Sequence, residues 1–109
     1  MKIRVEEEND QLFINGEDLV AIVQDEKYTF KVSEIEAVMI ITTNMGPVND
    51  DECLAIRIDN ETAVFIMSSH PMFDTFLFEQ LGKTITLDYD NIISAASCTE
   101  NKVFPIYNK

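Results

Sequence analysis

His70 is the one histidine of this chain, and it stands in Ser68-Ser69-His70-Pro71. Histidine is the usual general base near neutral pH, so a serine nucleophile served by His70 is the first chemistry to consider. Triads assemble nucleophile and base from separated segments and are recognised by geometry. Two serines directly beside the histidine have no such signature, and His70 reads as a surface loop residue just ahead of a helix. Cys53 and Cys98 are the only cysteines. One histidine and two separated thiols are too few for a structural Cys/His zinc site or a three-histidine catalytic site.

The remaining chemistries are equally short of material. Asn49-Asp50-Asp51-Glu52 lacks the alternating ligands and central glycine of an EF-hand loop. Gly16, Gly46 and Gly82 are isolated, so no glycine-rich loop precedes a helix to cradle phosphate. Arg4 and Arg57 are the only arginines, which leaves little with which to read nucleic acid. Twenty acidic residues contain many carboxylate pairs, but no pattern singles out two of them for glycoside cleavage. The expectation is a protein with no cofactor, no metal and no catalysis.

What stands out is acid. Twenty Asp and Glu face eight Lys and Arg, for a net charge of −12. Such a surface repels nucleic acid and anionic lipid, and it speeds encounter with basic proteins. The acids cluster at expected turns: Glu6-Glu7-Glu8-Asn9-Asp10, Glu17-Asp18, Asp25-Glu26, Asp50-Asp51-Glu52 and Asp59-Asn60-Glu61. Acids are common in turns for reasons of solvation alone. In a meander, however, alternate turns share one end of the sheet, and several clusters would converge into one negative rim. A rim of this kind complements a basic active-site cleft and competes with its anionic substrate.

The reading that follows is an acidic inhibitor of a basic protein. In composition it resembles nuclease inhibitors and bacterial immunity proteins as a class, which implies a basic toxin, such as a nuclease, as the partner. That likeness carries no residue motif, so no site is transferred from it. The expected partner-binding residues are Asp50, Asp51 and Glu52 first, then Asp59, Glu61, Asp25 and Glu26. Two other readings stand beside it: a non-catalytic adaptor or oligomeric subunit that uses a sheet edge or an apolar helix face, and a small-ligand or peptide-binding module. The chain would act as a monomer or a small homo-oligomer.

These residues need a scaffold, and 109 residues with 46% hydrophobic content suffice for one domain over 1–109 with its own core. No apolar run approaches a membrane span. Met1 to Val5 leads straight into Glu6-Glu7-Glu8 without an apolar h-region, so a cytoplasmic protein with reduced thiols is expected. Short strands are predicted over Lys2–Val5, Gln11–Asn15, Leu19–Val23, Tyr28–Val32, Val38–Thr43, Leu54–Ile58, Thr62–Met67 and Thr84–Leu87, and Lys102–Tyr107, interrupted by Pro105, is an edge strand or an ordered tail. Asn15-Gly16 and Asp59-Asn60-Glu61 mark hairpin turns. Val38–Thr43, apolar on both faces, takes a central, doubly covered place, and Asn44–Glu52 is an acidic loop. Ser33 with Glu36 fits a capping box that starts a short helical turn, and a bend entering the next strand is the equal alternative.

Met72, Phe73, Phe76, Leu77 and Gln80 change the period to that of a helix over about 71–81, with Ser69 as cap and Gly82 as stop. Asp88 or Asp90 caps a second short helix through Ile92, Ile93, Ala95 and Ala96. The fold class is α+β, with an antiparallel, meander-like sheet of six or seven strands packed against one main helix. A rolled-up barrel is the alternative.

Overall fold

The computed structural model describes residues 1–42, 52–98 and 100–109. Among them the chain forms eight strands and two short helices: β1 (Lys2–Val5), β2 (Gln11–Asn15), β3 (Asp18–Val23), β4 (Glu26–Lys31), β5 (Ala37–Thr42), β6 (Glu52–Arg57), β7 (Ala63–Met67), α1 (residues 73–84), α2 (Tyr89–Ala96) and β8 (Lys102–Asn108). The class is α+β as expected, but the strands divide between two sheets. β2-β3-β4 is an antiparallel meander, and β1-β7-β6-β5-β8 is a mixed sheet in which β1 runs parallel to β7. Among the described residues both orders have free ends, so neither sheet closes into the rolled alternative.

The division has a local cause. After β4 the chain enters a 3-10 turn at Val32–Glu34, where the Glu34 carboxylate accepts the Lys31 N–H at 2.8 Å. The turn is thus pinned by Glu34, in place of the Ser33/Glu36 pair expected. Ile35 plunges into the core, and β5 starts a new ladder with β6 and β8.

Alternation decides what each strand buries. In β6 and β7, Leu54, Ile56, Val64 and Ile66 point inward and are fully buried, as the sequence pattern required. They pack with Leu12, Leu19 and Ala21 of the meander and with Phe76, Leu77 and Leu81 of α1 in one core. β5 is interior, between β6 and β8, but its two faces differ. Val38, Ile40 and Thr42 are buried, whereas Ala37, Met39 and Ile41 are only half-buried, so it is not doubly covered. Glu52 belongs to β6, where it pairs with Thr42, and not to the preceding loop. The rest of that expected loop lies outside the described residues.

α1 begins at residue 73, two residues after the expected start, and runs past Gly82 to 84. Gly82 stays right-handed, with φ −64° and ψ −21°, and so does not stop the helix. Its role is close packing: a Cβ there would lie 2.6 Å from the Tyr89 hydroxyl oxygen. The Thr75–Leu81 segment is π-helical, and the Gly82 N–H reaches back five residues to the Leu77 carbonyl. This wider turn aligns Phe76 with Leu81 on the buried side.

The Thr84–Leu87 strand is not formed. Ile85 and Leu87 pack into the core from a non-ladder connection, where burial of alternate residues mimics strand periodicity. α2 is capped as expected, with the Asp88 carboxylate accepting the Asn91 N–H at 3.1 Å. No disulfide joins Cys53 to Cys98. No helix among the described residues is long and apolar enough to cross a membrane.

Candidate protein-binding cleft

A cleft of about 370 Å³ opens between the outer edge of β1 and the β3–β4 hairpin. Lys2, Ile3, Arg4, Glu6, Glu7 and Asp10 line one wall, and Val23, Gln24, Glu26 and Tyr28 the other. Its shape follows from two turns. The β1–β2 connection carries Glu6, Glu7 and Asp10, and the tight β3–β4 turn is made by Gln24 and Asp25. Both turn residues sit at positive φ, 52° and 67°, with no glycine to relieve the crowding.

Asp10 holds the two turns together. It is 3% exposed, and its carboxylate accepts backbone N–H groups from Glu7 at 3.0 Å, Glu6 at 3.2 Å and Gln24 at 3.2 Å. Burial acts to raise its pKa. The N–H donors of Glu7, Gln24 and Glu6, with nearby His70, outweigh burial and hold it below the ordinary carboxylate value.

His70 completes the link. It is buried, not on the surface as the sequence suggested. Its Nδ1 accepts the Met72 N–H at 3.1 Å, which leaves Nε2 to donate to the Glu7 carbonyl at 2.9 Å. The ring thereby ties the entrance of α1 to the β1–β2 connection, and both nitrogens are occupied by backbone. Across the cleft the Glu26 carboxylate accepts the Tyr28 hydroxyl at 2.6 Å. That hydrogen bond, assisted by burial and by the Glu26 charge, raises the phenol pKa.

The expected site residues separate into groups. Glu26 lines the cleft, and Asp25 stands at its hairpin tip. Glu52 lies at the same end of the molecule, since its carbonyl accepts the Ser68 N–H just before His70. Asp59 and Glu61 lie at the opposite end of β1. Their turn leads into Ala63, which pairs with Lys2, and the Glu61 carbonyl accepts from the N-terminal ammonium. The Asp59 carboxylate caps its own turn by accepting the Glu61 and Thr62 N–H groups, at 2.8 and 2.7 Å. Asp50 and Asp51 lie outside the described residues.

So the acids of two turns do converge, but Asp59 and Glu61 do not join them. The sequence ranking omitted Glu6, Glu7 and Asp10. The signal for the first two was their place in the same kind of acidic turn as Asp25-Glu26. Asp10 accepts from Glu6 and Glu7 nearby, but its link to the second turn depends on Gln24, fourteen residues away, which no local pattern announces. No group of histidine, cysteine and carboxylates among the described residues is arranged to hold a metal ion. The chain matches no protein-family model, no curated protein and no solved structure.

Proposed function

We propose that this protein is a non-catalytic binder of a basic protein, acting as an immunity-type inhibitor that masks a cationic active site such as that of a toxin nuclease. The observation that carries the reading is the convergence of Glu6, Glu7, Asp10 and Glu26, from two separate turns, on one cleft. A net charge of −12 adds long-range attraction to this local feature. Capture from the native host at low salt, repeated at high salt, is the test. A basic protein retained only at low salt, whose enzymatic activity falls when this chain is added, supports inhibition. Glu6→Lys combined with Glu26→Lys should then weaken binding about ten-fold or more, while Glu61→Lys, at the far end, leaves it unchanged. Equal losses from both variants would mean that the cleft has no special part.

A second reading, an oligomeric subunit, is favoured by the outer face of the five-stranded sheet. Met39, Ile41, Cys53, Phe65 and Met67 share that face and are half-buried, and no described strand position on it carries a carboxylate. Recovery of a salt-indifferent oligomer without a basic partner would place this reading first.

A further inference from the structure

The two edges of the five-stranded sheet are finished differently. β8 carries Pro105 and a register shift, and its outer backbone is occupied: the Asp88 N–H donates to the Ile106 carbonyl at 2.8 Å and the Asn91 Nδ2 to the Pro105 carbonyl at 2.7 Å. In the meander, Gln80 of α1 similarly takes the Ile14 N–H of β2 at 2.7 Å. β1 has none of this. Among the described residues, Lys2–Val5 make no backbone hydrogen bond to any element but β7, and the strand holds no proline or bulge. Folded proteins usually cover or break such an edge because it templates a further strand. Here Lys2, Ile3 and Arg4 of the edge strand line the cleft already described.

We infer that the outer edge of β1 accepts an extended segment of the partner as an added strand, and that the segment bears lysine or arginine on the side facing Glu26. This rests on the reading of the cleft as a site for a basic protein. The backbone edge supplies hydrogen bonds that do not depend on sequence, and the walls supply the selection. Four carboxylates line the cleft against two cations, Lys2 and Arg4. Arg4 is paired with Glu6 at 3.9 Å and lies over the Phe65 ring, so its charge is already partnered on its own wall. A basic strand therefore meets Glu26 and Glu7, while an acidic strand of the same length finds no compensating wall.

The probe is a synthetic peptide of alternating lysine and valine, about eight residues long, enough to pass the four residues of β1. It is compared with a peptide of the same side chains and charge whose backbone amides are N-methylated. Titration of the full chain should show the unmodified peptide binding about ten-fold or more tightly than the methylated one, the equivalent of one or two backbone hydrogen bonds. Amide hydrogen exchange at residues 2–5 should slow when the unmodified peptide is bound. Equal binding of both peptides, without protection at those amides, overturns strand addition. If that binding is still lost with Glu6→Gln and Glu26→Gln, the charge reading survives. Failure of both peptides to bind overturns strand addition as well.

Discussion

At β8 the sheet ends under the segment that opens α2, with Asp88 and Asn91 on its outer carbonyls, whereas at β1 it ends in the open wall of an acidic cleft. Both edges are maintained by aspartates that accept backbone N–H groups, but to opposite effect. Asp88 caps a helix and draws it over the edge. Asp10 binds two turns that stand beside the edge and keeps the space between them clear. An aspartate with three donors, buried, does more for stability than one with a single donor at the surface.

That contrast can be broken most severely at Asp10. Asp10→Ala strands three N–H groups and should cost about 2–4 kcal/mol in urea unfolding. Asp10→Asn, which keeps an acceptor oxygen, should cost less.

Acid should produce the next largest effect. The folded-state pKa of Asp10 is depressed, so its contribution is fully present above the unfolded value of about 3.8 and is lost as pH falls through the lower folded value. Stability measured from pH 6 downward should therefore decline in that window, and the decline should be shallower in Asp10→Asn. An unchanged slope would remove Asp10 as a titrating link.

At the other edge, Asp88→Ala should cost about 1 kcal/mol, the ordinary value of an N-cap, and should leave exchange at residues 2–5 unaltered. Asn91→Ala is expected to be the smallest, about 0.5 kcal/mol. Its readout is faster exchange along α2 and not a shifted midpoint. A loss at Asn91 as large as that at Asp10 would show that both edges carry equal weight.

Much of the scaffold was legible because its signals are local. Asn15-Gly16 and Asp59-Asn60-Glu61 gave their hairpins, alternation gave the inward faces of β6 and β7, and Asp88 announced α2. The misreadings share the opposite property. The β1–β7 pairing, the break between the sheets and the burial of His70 are set by partners far off in the chain, which no window of sequence contains. Ile85 and Leu87 showed real burial but no ladder, and period alone does not separate the two. Of the site, Asp25-Glu26 was visible as an acidic turn, while its meeting with Glu6, Glu7 and Asp10 depended on tertiary structure.

The parallel pairing of β1 has a bearing on how the molecule is made. Lys2 must wait for Ala63, across more than half of the chain, before it finds its place, while the β2–β3–β4 and β6–β7 hairpins close over a few residues. Loop-closure entropy puts such a contact late in folding and slows the whole. β1 thus cannot dock until β7 has formed, and its amides should be among the first of the sheet to exchange with solvent.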